Sequence, residues 1–179
     1  MCPIKNEDIL DVAVEAALAA SNIIIDAAHN PLIKKVKKSG SDLVTQTDLE
    51  SEEIIKSFVS KNYPSHGILA EESDKKENNS DYLWIIDPLD GTTNFVHGYP
   101  SFAVSIGVYY KKKPIIGVVL EMPHLKLYTA IKNYGAWCEG NQIQASKTKK
   151  IKDSLLVTGF GYQHGKLWEK NMDLFKIFT

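Results

Sequence analysis

The segment WIIDPLDGTTNF, Trp84 to Phe95, decides how this sequence is interpreted. An apolar run ends at Asp87, and Asp90 follows after Pro88 and one leucine. Proline disfavours the helical region for the residue before it, so the chain is predicted to stay extended up to Asp87 and then to turn sharply. Aspartate, proline and glycine are also the ordinary composition of a plain turn. The segment therefore fits either an acidic turn or a metal site in which both carboxylates face one point.

Two other acidic positions occur at similar places in the pattern. Glu71 and Glu72 follow the apolar run GILA, and Asp48 lies near the start of a predicted helix. Each has a simple alternative, namely a solvated loop edge for the glutamates and a helix N-cap for Asp48. Carboxylates at the ends of buried runs are costly unless they are paired or bind a cation. Converging oxygens suit Mg²⁺, Mn²⁺ or Ca²⁺ better than Zn²⁺.

A phosphate could be bound beside these carboxylates. Gly91 allows the backbone to approach a ligand closely, and Thr92 and Thr93 could start a helix whose free N–H groups accept an anion. Carboxylates for a metal next to amides for a phosphate indicate metal-assisted hydrolysis of a phosphate ester.

The composition limits the class of protein. The chain has 179 residues, a net charge of −1, 44% hydrophobic and 24% charged residues, which is typical of a globular domain. It contains no apolar run of about 20 residues, so no membrane partner is expected. The near-neutral charge argues against nucleic-acid binding. The first residues do not resemble a signal peptide, and the two cysteines have no metal-like spacing, so we expect a cytoplasmic protein.

The hydrophobic pattern predicts an α+β fold, with two N-terminal helices packed on a mostly antiparallel sheet. The first helix is predicted over Asn6–Ala28, and its short alanine-rich stripe favours packing within the chain over a coiled coil. A second helix is predicted to begin near Thr47, which forms a capping-box pattern with Glu50.

Strands are predicted from Gly67 onward. The runs FAVSIGVYY, PIIGVVLEM and KLYTAIK are joined by connections too short for a parallel crossover, which predicts an antiparallel meander. A last strand is predicted at LLVTGF, Leu155 to Phe160, followed by the start of a helix.

Three segments together resemble the inositol monophosphatase family of Mg²⁺-dependent, lithium-sensitive phosphatases. They are VTQTD (Val44–Asp48), AEES (Ala70–Ser73) and WIIDPLDGTTNFVHG (Trp84–Gly98), and the last is the most specific. The resemblance implies the N-terminal half of a layered α/β/α sugar-phosphatase fold. It also implies hydrolysis of inositol 1-phosphate or a related sugar phosphate, with Mg²⁺ as cofactor and a homodimer for the full-length family member.

The resemblance implies a role for each site residue. The metal ligands would be Glu71, Asp87, Asp90 and the carbonyl of Leu89, with Asp87 bridging two Mg²⁺ ions. The substrate-binding residues would be Leu89, Asp90, Gly91 and Thr92, of which Gly91 and Thr92 bind phosphate through their amides. Thr92, supported by the catalytic residues Asp48 and Glu71, would orient the attacking water. No covalent intermediate is implied, so His97 and His124 are interpreted as structural or surface residues.

The sequence departs from the family pattern in two places. Ala70 stands where the family often has glycine, and no tryptophan is followed by aspartate, although the family's second metal site uses such an aspartate. We therefore expect the chain to be the N-terminal part of a longer phosphatase, with a metal-binding domain at residues 1–160 and the start of a second domain at 161–179. On this expectation the chain alone is a weak or inactive phosphatase whose exposed apolar surface favours self-association.

Two alternatives stay open at the level of sequence. The same acidic motifs serve relatives that act on 3′-phosphoadenosine 5′-phosphate, fructose 1,6-bisphosphate or histidinol phosphate. The chain could also be a non-catalytic interaction module.

Overall fold

The computed structural model describes residues 5–28, 34–36, 43–73, 80–159 and 165–178. In chain order the elements are α1 (Asn6–Ala28), β1 (Lys34–Val36), β2 (Leu43–Thr45), α2 (Gln46–Asn62), β3 (Gly67–Ala70), β4 (Tyr82–Asp90), α3 (Thr92–Val96), β5 (Phe102–Tyr110), β6 (Lys113–Met122), β7 (Lys126–Ile131), β8 (Gly135–Cys138), β9 (Asn141–Ile143), a 3₁₀ turn (Ile151–Asp153) and α4 (Lys166–Phe178).

A seven-stranded sheet has the order β3-β4-β5-β6-β7-β8-β9. β3 pairs with β4 in parallel, and every later neighbour is antiparallel. The predicted meander of β5, β6 and β7 is therefore confirmed, and so is the α+β class. β1 and β2 form a separate two-stranded sheet.

The first helix packs on α2 and on the middle of the sheet, mainly β6 and β5. Its stripe of small residues is buried as the sequence predicts, and alanine side chains let the helix axis approach its neighbours closely. At the C-terminal end Ile24 is fully buried, whereas Ile23 is only partly covered. The stripe follows the 3.6-residue period of the helix, which places Ile24 rather than Ile23 beneath Ala20.

A histidine lies in the core between aromatic rings. The His66 ring stacks on Tyr63 and Tyr82, with ring centroids 4.7 and 4.4 Å away. The indole Nε1–H of Trp84 donates to His66 Nδ1 at 3.0 Å. Nδ1 must accept this bond, so the imidazole is neutral with its proton on Nε2. Burial accordingly lowers the pKa of His66 below its usual 6.5.

Acid is expected to destabilise the fold through His66. Because the folded-state pKa lies below the unfolded value, the stabilisation is complete above pH 6.5 and is lost as the pH falls through that value toward the folded pKa. The melting temperature should fall between pH 7.5 and pH 5 in the unaltered chain. In His66→Phe this fall should be smaller by about 2–4 °C. His124→Gln is the control, since that side chain is 72% exposed. An equal pH dependence in His66→Phe and the unaltered chain would contradict this role.

The described residues from 145 to 178, together with Val36, form a compact unit of their own. The strand predicted from Leu155 is wrong for the residues described, because 155–159 have no strand pairing. The large apolar side chains described in this run, Leu155, Leu156 and Val157, are exposed rather than placed beside a neighbouring strand. The boundary predicted at residue 160 lies outside the described residues. Among the described helices, none is long and apolar enough to cross a membrane.

Candidate active site

A bulge in β4 brings the two aspartates of the DPLD segment to one side of the strand. Asp87 pairs with Ser105 and Asp90 with Ala103, so β4 uses one residue more than β5 between these pairs. Residues three apart in a regular strand face opposite sides, and one extra residue restores the same side. The bulge also accommodates Pro88, which cannot donate a ladder hydrogen bond. The predicted sharp turn is thus a bulged strand that continues to Asp90.

Asp87 lies among groups that disfavour its charge. Burial, the charges of Glu71 and Asp90, and a hydrogen bond with Glu71 raise its pKa from 3.8 to about 7, while the backbone N–H of Leu89 opposes the rise. That N–H donates to Asp87 Oδ1 at 3.2 Å. Glu71 and Asp87 also line an open depression of about 450 Å³ beside Ser105. The arrangement presents oxygen donors whose mutual repulsion a cation would relieve.

The second part of the site is a hydrogen-bonded connection between α2 and α3. Thr92 Oγ1 lies 2.8 Å from Asp48 Oδ1 and 3.0 Å from the carbonyl oxygen of Leu89. A hydroxyl has one proton, and the carboxylate is the stronger acceptor. Asp48 is only 1% exposed. The connection fixes the Thr92 hydroxyl and leaves its lone pairs able to accept a further hydrogen bond.

Asp48 is also the acidic member of the α2 capping box. The Thr45 backbone N–H donates to Asp48 Oδ2 at 2.8 Å, the Thr45 hydroxyl donates to the same oxygen, and the Asp48 N–H donates back to Thr45 Oγ1 at 3.3 Å. The predicted box of Thr47 and Glu50 is therefore wrong: the helix begins two residues earlier, and Glu50 instead accepts from the Gln46 side chain. Asp48 is the third helical residue and not the N-cap.

Gly91 connects the bulged strand to α3 in a conformation that suits glycine. Its φ is +90°, and a Cβ there would lie 3.0 Å from the carbonyl oxygen of Ser101. Any side chain would meet both a left-handed backbone and a close contact. Gly91 therefore lets the chain turn directly from Asp90 into Thr92.

The predicted site residues fall into two neighbouring groups. Glu71, Asp87 and Asp90 interact electrostatically, and Asp48, Thr92 and Leu89 are joined by hydrogen bonds. In the ranges that the structure describes, however, no three His, Cys, Asp or Glu side chains are arranged to hold a metal ion. The backbone carbonyl of Leu89 is a further oxygen beside these carboxylates.

Polar residues outside the predicted set also lie near the site. Glu52 is 2% exposed, lies one helical turn after Asp48, and accepts from the backbone N–H of Glu72 at 2.8 Å. The i, i+4 spacing from Asp48 is a signal in the sequence, because it puts two carboxylates on one helix face. His97 and His124 are exposed, in keeping with their interpretation as surface residues.

Comparison with known proteins gives consistent matches. The profile of the Inositol monophosphatase family matches residues 5–179. "Phosphatase IMPL1, chloroplastic" of Arabidopsis thaliana is 45% identical over 179 residues, which is 96% of this chain and 48% of that protein. The solved inositol monophosphatase of Anabaena (Nostoc) sp. PCC 7120 has a TM-score of 0.76 and 39% identity, covering 87% of this chain and 56% of that one.

A further solved structure is an IMPase/NADP phosphatase in complex with Mg²⁺ and phosphate. It has a TM-score of 0.74 and 29% identity, and the match covers 81% of this chain and 56% of that one. The chain therefore spans about half the length of the relatives that it matches.

Proposed function

Because the chain belongs to the inositol monophosphatase family, we propose that it takes part in Mg²⁺-dependent, Li⁺-sensitive hydrolysis of a phosphate monoester, inositol 1-phosphate or a related sugar phosphate. The observation that carries the proposal is the juxtaposition of two groups. The Thr92 hydroxyl contacts Asp48 and the carbonyl oxygen of Leu89, and the charges of Glu71 and Asp90 both act on Asp87.

The donor chemistry of the carboxylate group suits a hard divalent cation. The donors would be Glu71, Asp87, Asp90 and the Leu89 carbonyl, all of them oxygen atoms, as Mg²⁺ prefers. The raised pKa of Asp87 supports this, since a cation stabilises the ionised carboxylates that otherwise repel one another. When bound, Mg²⁺ would supply a Lewis acid that lowers the pKa of water and neutralises phosphate charge. The relative solved with Mg²⁺ and phosphate supports Mg²⁺ as the cation.

Thr92 and Asp48 would orient the attacking water. The Thr92 hydroxyl donates a hydrogen bond to Asp48 Oδ1, so Thr92 Oγ1 can accept a hydrogen bond from a water. Asp48 cannot easily move, because Thr45 holds its other oxygen. Together with Glu71, these residues would guide a water to the phosphorus atom in line with the leaving alkoxide.

The substrate phosphate would bind along the segment from Leu89 to Thr92. Gly91 brings the backbone of this segment close to the site without a side chain, and the amides of Gly91 and Thr92 would donate to phosphate oxygens. Asp90 is exposed beside them and would serve both as a cation ligand and as part of the substrate site.

A nucleotide phosphate is the second candidate substrate. It is favoured by the relative described as an IMPase/NADP phosphatase, which combines both substrate classes in one protein. We also propose a cytoplasmic homodimer without a nucleic-acid partner. The net charge of −1 supports the last point, and the family resemblance supports the homodimer.

Phosphate release from myo-inositol 1-phosphate, fructose 1,6-bisphosphate and NADP with and without Mg²⁺ tests the function. Asp90→Asn should lower kcat/KM at least about 100-fold, since misplacement of a reacting group by 1 Å has an effect of that size. Asp81→Asn is the control, because its side chain is 59% exposed and pairs with Lys111. Release that persists in EDTA, or that Asp90→Asn leaves unchanged, would contradict the proposal.

A further inference from the structure

Glu52 is a buried carboxylate to which the proposed mechanism gives no role. Its side chain is 3% exposed, and a carboxylate buried without partners is strongly unfavourable. One oxygen accepts from the backbone N–H of Glu72 at 2.8 Å, and the other lies 3.6 Å from Lys56 Nζ. A hydrogen bond to Glu53, together with the charges of Glu53 and Glu52, raises the pKa of Lys56, so this partner is cationic.

The bond to Glu72 reaches 20 residues along the chain to the end of β3. This is the point where the strand has ended and the chain leaves the sheet. A side-chain acceptor at such a point replaces the ladder partner that the sheet no longer supplies. The bond therefore fixes the first residues after β3 relative to α2.

Both peptide groups that flank Glu71 are held. The N–H of Glu71 donates to the carbonyl oxygen of Ile86 at 3.1 Å, and the N–H of Glu72 donates to Glu52. The orientation of these two peptide groups determines φ and ψ of Glu71, and hence the direction of its Cα–Cβ bond. Ile86 is the residue before Asp87, so the first bond also ties Glu71 to the strand that carries the central aspartate.

We propose that Glu52 is a positioning residue, which holds the Glu71–Glu72 peptide so that the Glu71 carboxylate faces Asp87, where it can ligate a divalent cation. The inference rests on the proposed function. Two residues on one face of α2 would then position the site. Asp48 holds the Thr92 hydroxyl. Glu52, one helical turn later, holds the segment that carries Glu71. Supporting groups of this kind orient a metal ligand without touching the metal.

The test compares Glu52→Ala, Glu52→Gln and the control Glu53→Gln in the full chain. Glu53 is a neighbour on α2 whose side chain is 71% exposed. The first measurement is Mn²⁺ affinity by calorimetry, and the second is hydrogen exchange of individual backbone amides. A cooperative melt establishes that each variant is folded.

Glu52→Ala is expected to weaken Mn²⁺ binding about 10–100-fold, as loss of a supporting group does at other metal sites. The Glu72 amide should lose its protection from exchange while the amides of β5 and β6 keep theirs. Glu52→Gln should bind Mn²⁺ within about threefold of the unaltered chain, because its amide oxygen still accepts a hydrogen bond. Glu53→Gln should change neither measurement.

Unchanged Mn²⁺ affinity in Glu52→Ala, or unchanged exchange of the Glu72 amide, would overturn the inference. Absence of Mn²⁺ binding in the unaltered chain would instead contradict the proposed cation site itself. If Glu52→Ala does not fold, Glu52→Gln decides: an affinity loss of about tenfold or more in this folded variant would show that acceptance of a hydrogen bond is not the function of Glu52.

Discussion

Asp87→Asn is expected to abolish cation-dependent activity and, in the absence of metal, to stabilise the chain above pH 7. An amide cannot replace the anionic ligand that we propose Asp87 to be, so Mg²⁺ should no longer raise the melting temperature, and kcat/KM should fall about 1,000-fold or more. The stabilising effect follows from the pKa of about 7. A carboxyl group whose folded-state pKa is raised contributes stability below its unfolded pKa and loses it as the pH rises through the folded value.

The magnitude of the stabilisation follows from the same shift. A pKa of about 7 against the usual 3.8 corresponds to about 4 kcal/mol. Asp87 is partly exposed, and solvent screening should reduce this to roughly 1–2 kcal/mol. Urea unfolding in EDTA at pH 5 and pH 8 measures the difference in the free energy of unfolding between Asp87→Asn and the unaltered chain. Asp81→Asn is the exposed control. A variant that is less stable than the unaltered chain at pH 8 would show that the carboxylates are not in repulsive contact.

Asp48→Ala is expected to be among the most destabilising single substitutions on α2 and to impair catalysis. It removes the side-chain half of the capping box, leaves the buried Thr45 N–H and hydroxyl without their acceptor, and leaves the Thr92 hydroxyl only the Leu89 carbonyl. Loss of a cap costs about 1 kcal/mol, and buried groups left unpaired add to it, so a loss of about 2–4 kcal/mol is expected. Activity should fall about 100-fold, because Thr92 is no longer oriented.

Glu50→Ala is the matched control for Asp48→Ala. Glu50 is the acidic residue of the alternative capping pattern. In the structure its side chain accepts an exposed hydrogen bond from Gln46 at 3.0 Å. Its cost should stay within about 0.5 kcal/mol, as is usual for surface substitutions. If guanidinium unfolding gives Glu50→Ala the larger effect, then α2 begins at Thr47 and the connection from Asp48 to Thr92 is not formed.

Much of the fold could be predicted from local patterns. Asn6–Ala28 is found as a helix with the predicted bounds, because its periodicity and its end signals agree. The start of α2 could not be determined locally, since Thr45 with Asp48 and Thr47 with Glu50 both have the capping spacing. A tertiary contact distinguishes the two capping patterns. Asp48 forms a hydrogen bond with Thr92, 44 residues away, and no local pattern contains that contact.

The candidate site also combines features that local patterns predict with features that only tertiary contacts determine. Spacing alone left a plain turn as an alternative at Asp87 and Asp90, because sequence does not show which strands pair. The register of β4 on β5 supplies the missing information, since the bulge that aligns the two aspartates exists only relative to a partner strand. Glu52 was missed for a related reason. Its partner is a backbone N–H, which carries no signal in the sequence.

The separation of contacts along the chain has a consequence for the order of folding. β5 to β9 are paired with their sequence neighbours through short turns, so this meander can form from local encounters. The bonds from Asp48 to Thr92 and from Glu52 to Glu72 close loops of 44 and 20 residues. Loop closure costs entropy before such contacts repay it. In refolding experiments the meander should therefore gain amide protection first, and the capacity to bind a cation should appear only in a later kinetic phase.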